Sequence, residues 1–238
     1  MKKIPLQLTL TITFIIISIH GVIGQKKLEK ILDKITPIPQ SNKTLDIPKY
    51  ENGHPFIYWH YCKQKQAQLN LSSPEISDDS LILRVWLTAP FTRKNQRQDL
   101  TEIRYVNGRW IAQVVNMRVD LKGKTEEKIA NFAITEVSPV ATWNHLIDSL
   151  YYYQVDSLPT DERLPNYSFL TSNYANRAPT WCFEYATRDT YRFYQYNDPW
   201  KLAEHYDEAI DVANILHMLN REFHIDSLAR EFRIKLEK

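Results

Sequence analysis

Apolar residues recur at every second position between Ser80 and Thr88, which is the spacing of a β-strand. One side of this predicted strand carries Leu81, Leu83, Val85 and Leu87. The opposite side carries Ile82, Arg84, Trp86 and Thr88. Because both sides contain apolar groups, we expect a central strand or one that is covered on both faces.

The dipeptide Asn107-Gly108 separates two further β-prone runs, 101–106 and 109–114. A type I′ turn needs positive φ at both central residues, and Asn and Gly tolerate this. The predicted register pairs Tyr105 with Trp110, Ile103 with Ala112, Thr101 with Val114, Arg104 with Ile111 and Glu102 with Gln113. Beyond Val114 the apolar positions change from even to odd numbers, which predicts a β-bulge near Val114 and Val115. Residues 128–137 are predicted to form the next strand.

An aromatic-rich hairpin is predicted over residues 180–196. A two-residue turn at Arg188-Asp189 pairs Trp181 with Tyr196, Phe183 with Tyr194 and Tyr185 with Arg192. The other face then carries Cys182, Glu184, Tyr191, Phe193 and Gln195. Arg-Asp is a poor type I′ turn, so a four-residue loop with a shifted register is the alternative.

Helical spacing of apolar residues predicts a helix over 141–152. The same spacing predicts a long helix that runs to Phe223 and begins with Asp198 as its N-cap and Pro199 at position N1. Residues 227–236 fit a short helix or an edge strand. Residues 56–61 are β-prone and indicate a first strand, whereas the stretch up to Asn70 fits a helix equally well. Together the elements predict an α+β fold: a largely antiparallel β-sheet with helices packed on one face and a long C-terminal helix.

The first 24 residues have the order of a secretory signal peptide: a basic start, an apolar centre and small residues before a cut after Gly24. A retained transmembrane anchor is the alternative, because the apolar run approaches a spanning length. We therefore predict a signal peptide over 1–24, an N-terminal helix and linker arm over 25–54, and a single α+β domain over 55–238. The expected location is periplasmic or secreted, with membrane contact only if the signal is uncleaved. Sequons lie at Asn42, Asn70 and Asn166, and they would be glycosylated only in a eukaryotic secretory route.

Cleavage changes the charge and the glycine content of the chain. It removes Lys2 and Lys3, so that 28 basic residues face 28 acidic ones, and a neutral chain predicts no nucleic-acid partner. The glycines that remain are Gly53, Gly108 and Gly123. Because phosphate-binding loops need clustered glycines, we expect no nucleotide and no nucleotide-derived cofactor.

Metal ligands are also not indicated. The histidines of the mature chain show no His-x-x-x-His pair. His205 and His217 are twelve residues apart on one predicted helix, which separates them by roughly 18 Å. We therefore predict no metal and no catalytic cofactor.

Cys62 and Cys182 are the only cysteines, and an oxidising compartment makes them a disulfide candidate. Such a bond would close a loop of about 120 residues, and loop-closure entropy then contributes roughly 4 to 5 kcal/mol. The alternative is two buried thiols beside Tyr61 and Trp181, since free cysteine packs as a small apolar residue.

The candidate binding residues are one aromatic face of the predicted hairpin, Trp181, Tyr185, Arg192, Tyr194 and Tyr196. Tyr, Trp and Arg dominate interface hot spots, and flat aromatic rings also stack on sugars. The alternative is a core face under the terminal helix, especially for Trp181 and Phe183. We expect Arg192 and Tyr196 to be exposed, because their polar ends need water or partners. The sequence thus favours a binding protein whose partner is a protein or glycan of the cell envelope or exterior.

The alternative function is a cofactor-free hydrolase with its site between the long segment 156–177 and the hairpin over 180–196. Glu184 is its candidate acid, because an acid between Tyr191 and Phe193 would have a raised pKa. A simple ion pair of Glu184 with Arg188 or Arg192 is the competing expectation.

Overall fold

The computed structural model describes residues 37–51, 53–88, 96–122, 126–167 and 178–236. The strands are β1 (Thr44–Asp46), β2 (Leu81–Thr88), β3 (Gln96–Val106), β4 (Arg109–Lys122), β5 (Glu126–Val137), β6 (Thr180–Thr187) and β7 (Thr190–Asn197). The helices are α1 (Ile57–Gln68), α2 (Trp143–Tyr152), α3 (Pro199–Leu202), α4 (Asp207–Phe223) and α5 (Ile225–Leu236). The predicted signal peptide and the N-terminal helix lie outside the described residues.

The seven strands form one sheet in the order β1, β7, β6, β2, β3, β4, β5. All described pairs are antiparallel except the pair of β1 with β7. The α+β class and the mainly antiparallel sheet are therefore confirmed. Part of the segment predicted as a linker arm is instead the edge strand β1, in which Leu45 lies opposite Tyr191.

Helices cover both faces of the sheet. The first face packs against α2 and α4 through a core that includes Leu83, Val85, Ile103, Leu146 and Ile215. The second face packs against α1 through Ile82, Trp86, Val115, Trp59 and Cys62. The prediction of helices on one face therefore misses α1. Its span includes 57–61, where a first strand was predicted, and its buried side includes Lys63, Lys65 and Gln66, so no apolar stripe marks it as a helix.

Both predicted hairpin registers are confirmed. Tyr105 lies opposite Trp110 and Ile103 opposite Ala112, with Asn107 and Gly108 at φ values of 51° and 78°. In the second hairpin Trp181 lies opposite Tyr196, Phe183 opposite Tyr194 and Tyr185 opposite Arg192. The two-residue turn at Arg188-Asp189 is thus the correct alternative.

The predicted β-bulge near Val114 and Val115 is wrong. The pairing of β3 with β4 continues without a shift past both residues, and the irregularity lies between Arg118 and Val119 in the pairing with β5. The apolar positions change parity because Ala112 and Val114 face the first core, whereas Val115 and Met117 face α1.

The long helix predicted from Asp198 to Phe223 is divided. Asp198 takes a left-handed conformation and makes no side-chain cap to α3, while Pro199 is its first residue. The chain then turns, with Tyr206 extended at φ −138°, before α4 begins at Asp207. Residues 227–236 are helical within α5.

Charged side chains are enclosed between α1 and the second face. Lys63 contacts the carboxylates of Glu75, at 2.6 Å, and Glu184. Next to it, Arg84 donates from Nε to Glu102. All five are at most 8 % exposed. A buried ion of this kind is tolerated only when a partner of opposite charge accompanies it.

The Lys63→Ala variant should lose about 3 to 5 kcal/mol of unfolding free energy, because Glu75 and Glu184 are left as buried charges without their cation. Urea unfolding followed by circular dichroism measures the change. Arg163→Ala is the control: it removes a pair with Asp46 whose side chains are 53% and 38% exposed, so a change below about 1 kcal/mol is expected. Equal losses in the two variants would contradict the argument.

Cys62 of α1 and Cys182 of β6 lie next to each other as free, fully buried thiols. Burial, and next a hydrogen bond with the Cys62 thiol, raise the pKa of the Cys182 thiol well above its ordinary value. The structure thus brings together the two residues of the disulfide candidate, on two layers of the fold.

Refolding the denatured protein in a glutathione redox buffer should join Cys62 to Cys182 and raise its unfolding free energy by roughly 4 to 5 kcal/mol over protein refolded in reductant. Thiol counting in denaturant and urea titration measure the two effects. Cys62→Ala should show the same stability in both buffers. Two titratable thiols in the oxidised sample would contradict the prediction.

Candidate functional site

Most of the predicted aromatic binding face is core. Tyr185, Tyr194 and Tyr196 are buried, and Phe183 stacks on Tyr194 with ring centroids 4.8 Å apart. The Tyr194 hydroxyl donates to the carbonyl of Val155 at 2.8 Å. The predicted exposure of Tyr196 is wrong: it is 0% exposed, because its ring packs in the core that includes side chains of α3 and α4.

Arg192 is partly exposed, but its guanidinium is occupied. It donates to Asp46 of β1 at 3.2 Å and to the carbonyls of Asp156 and Leu158, the latter at 3.1 Å. These bonds tie the chain after α2 and the edge strand to β7. Arg192 therefore holds neighbouring segments of the fold together and does not present its guanidinium on an open binding surface.

Trp181 is the predicted binding residue that reaches a cleft. A row across the sheet places Asp99 of β3 next to Leu87 of β2, and Leu87 next to Trp181 of β6. Above this row lies a cavity of about 360 Å³ bounded by α4 and α5. Its apolar lining includes Val85, Leu87, Leu216, Leu219 and Ile225.

Two tryptophans meet at this cavity, which we call the tryptophan cleft. Trp200 of α3 also lines it, and its ring lies 6.0 Å from that of Trp181 in an edge-to-face arrangement. Trp200 is 50% exposed, which is unusual for so large an apolar side chain. The indole Nε1 of Trp181 is buried and has no hydrogen-bond partner among the described residues.

Polar groups of β3, α4 and α5 also line the tryptophan cleft. Arg97 donates to both oxygens of Asp99, at 3.3 and 2.8 Å. Asn220 donates to Asp226 at 2.7 Å and accepts from the Asp226 backbone at 2.9 Å, and His217 adds an imidazole. Burial, with a smaller contribution from Asp226, raises the pKa of Asp99 although Arg97 opposes the shift.

Glu184 is fully buried in a network of hydrogen bonds and an ion pair. Its carboxylate accepts from Lys63, from Trp86 Nε1 at 2.7 Å and from the Tyr191 hydroxyl at 2.9 Å. Burial alone would raise the pKa of Glu184, but Lys63 and Arg84 outweigh that effect and hold the pKa below its ordinary value. The predicted raised pKa is wrong, as is pairing with Arg188 or Arg192. The partners come from α1, β2 and β7, and the sequence around Glu184 does not reveal those from α1 and β2.

Asp161 and Glu162 form a carboxyl pair in the segment 156–177, where the site of the alternative hydrolase was predicted. Asp161 is fully buried and accepts from the backbone and side-chain nitrogens of Asn197 in β7, at 2.7 and 3.1 Å. Burial, and next the neighbouring Glu162, raise the pKa of Asp161 well above its ordinary value. This pair was not predicted from the sequence. Residues 168–177 of the same segment lie outside the described part.

No three His, Cys, Asp or Glu side chains of the described residues are grouped to hold a metal ion. None of the described helices combines the length and apolar character needed to cross a membrane. Comparisons with protein-family models, curated proteins and solved structures found no match to this chain.

The Asp161→Asn variant should flatten the dependence of stability on pH. The unfolded carboxyl loses its proton near pH 4, whereas folded Asp161 keeps it, so the wild-type stabilisation is complete at low pH and is lost as pH rises towards the folded pKa. Urea unfolding at a series of pH values from about 4 upward checks this. Asp148→Asn, on the exposed side of α2, should keep the wild-type slope.

Proposed function

We propose that this is an exported binding protein and that its tryptophan cleft takes a sugar unit of a cell-envelope or extracellular glycan. The observation that carries the proposal is the meeting of Trp181 and Trp200 with the hydrogen-bonding groups of Asp99, Asn220 and Asp226 in one cavity. The cavity volume of about 360 Å³ fits the range of small-molecule sites, roughly 300 to 1,000 Å³.

A sugar suits this combination of surfaces. The C–H face of a pyranose is apolar and packs on an aromatic ring, while its hydroxyls need donors and acceptors at the rim. The exposed ring of Trp200 offers such a stacking surface. The Asn220 side-chain amide, which lines the cleft, is a donor for a hydroxyl or ring oxygen, and the carboxylate of Asp226 is an acceptor.

Binding is favoured over hydrolysis in this cleft. A glycosidase acid must be free to hand its proton to the leaving oxygen. Here both oxygens of Asp99 are held by Arg97, which makes Asp99 an orienting group. The alternative hydrolase has one observation in its favour, the raised pKa of Asp161. Yet Asp161 is fully buried and anchors β7 through Asn197, so a structural role accounts for it.

Replacing the half-exposed Trp200 by alanine should weaken sugar binding about tenfold, which corresponds to roughly 1.4 kcal/mol, because the stacking surface is lost while the core stays intact. The secreted form would be screened against immobilised neutral, amino and acidic saccharides, and calorimetry would follow with the best one. Tyr152→Ala removes a 79% exposed aromatic ring that does not line the cleft, and it should bind like wild type. Failure to retain any saccharide, or equal affinity of both variants, would count against the proposal.

A further inference from the structure

A second group of buried polar residues joins α1 to β3 and β5. Lys65, Gln98 and Glu127 are 0%, 1% and 3% exposed. The Lys65 Nζ donates to the side-chain oxygen of Gln98 at 2.6 Å, and the Gln98 amide nitrogen donates to Glu127 Oε1 at 3.1 Å. The other oxygen of Glu127 lies 3.4 Å from Lys65 Nζ. The Glu127 carboxylate therefore contacts both the Lys65 amine and the Gln98 side-chain amide, and these two groups also contact each other.

The triad is held by its surroundings. Gln64 and Gln68 of α1 bind the backbone nitrogen and oxygen of Glu127, at 3.2 and 2.7 Å. The Lys65 Nζ lies 5.5 Å from the centre of the Trp86 ring. Fixed, water-excluded geometry of this kind supplies a large effective concentration to a reaction between neighbouring groups.

We propose that Lys65 and Gln98 become joined by an intramolecular isopeptide bond, with Glu127 as the proton carrier. Glu127 accepts a proton from the Lys65 ammonium, and the neutral amine attacks the side-chain carbonyl carbon of Gln98. The new bond joins Nζ to that carbon, and the carbon–nitrogen bond of the carboxamide breaks. Glu127 returns its proton to the leaving nitrogen, which takes up the second proton of the amine and departs as ammonium. No oxidant, reductant or other reactant is consumed.

A neighbouring lysine–glutamine pair shows why the position of the carboxylate determines whether an isopeptide bond can form. Lys63 also contacts a glutamine oxygen, that of Gln66, at 2.9 Å. The carboxylates near it, Glu75 and Glu184, contact the lysine, and no hydrogen bond recorded for the described residues links either of them to the Gln66 amide nitrogen. That arrangement lacks a route for the proton to the leaving group. We therefore assign the bond to Lys65 alone.

The test is mass spectrometry of the full secreted form under denaturing, reducing conditions. The expected digest contains a branched peptide in which the segment around Lys65 is joined to the segment around Gln98, with the loss of one ammonia and no tryptic cleavage after Lys65. The branched peptide is decisive, because cyclisation of an N-terminal Gln25 would release the same mass from the intact chain. Separate linear peptides that contain unmodified Lys65 and Gln98 would overturn the proposal.

Two variants of equal size separate chemistry from folding. Glu127→Gln should fold but yield only the linear peptides, since it cannot carry the proton. Glu75→Gln alters a buried carboxylate on Lys63 and should keep the branched peptide. A branched peptide at wild-type yield in Glu127→Gln would remove Glu127 from the mechanism. Near-ultraviolet circular dichroism checks the fold, and if Glu127→Gln is unfolded, the wild-type digest alone decides.

Discussion

The ion pairs beneath α1 are the constraint on which the rest of the architecture depends. Lys63, Lys65 and Arg84 are all enclosed between this helix and the sheet, together with the carboxylates that neutralise them. Removing ions from water costs several kcal/mol for each ion, and the cost is offset only at close range and in good geometry. A small slide of α1 would leave charges unpaired. The charges therefore specify one position of the helix, whereas an apolar interface would tolerate several.

The cleft that we propose as the binding site lies on the other face of the sheet. There α4 and α5 pack on the sheet without sealing its end, where Trp181 and Asp99 lie at the cavity. The two faces share strands, so β6 carries Trp181 towards the cleft and Cys182 and Glu184 towards α1. A strand that is fixed on one side by buried charges is a rigid support for a binding site on its other side.

Local rules account for what the sequence predicted well. Both hairpin registers follow from two-residue turns and from alternation along the strands, which depend on neighbours in the chain. The first turns of α1 were predicted as a strand, and the helix alternative for the stretch up to Asn70 is correct; the buried side of α1 is largely polar, which hides its helical period. The partners of Glu184 and the exposure of Tyr196 depend on residues that are distant in sequence, and no periodicity encodes them. Among the predicted binding residues, Trp181 lines the tryptophan cleft, whereas Tyr185 lines only a cavity of about 10 Å³.

Ion pairs alone allow α1 to separate from the sheet, whereas a covalent link between the two would limit that separation. The attraction within each enclosed ion pair acts at short range and weakens as the interface opens to water. A covalent link between the helix and the sheet acts differently: it limits how far the layers separate when the interface opens. The fold places two pairs of groups capable of such a link on α1, Cys62 facing Cys182 of β6 and Lys65 facing Gln98 of β3. Because they engage different strands, the two links would restrain the helix against rotation as well as separation.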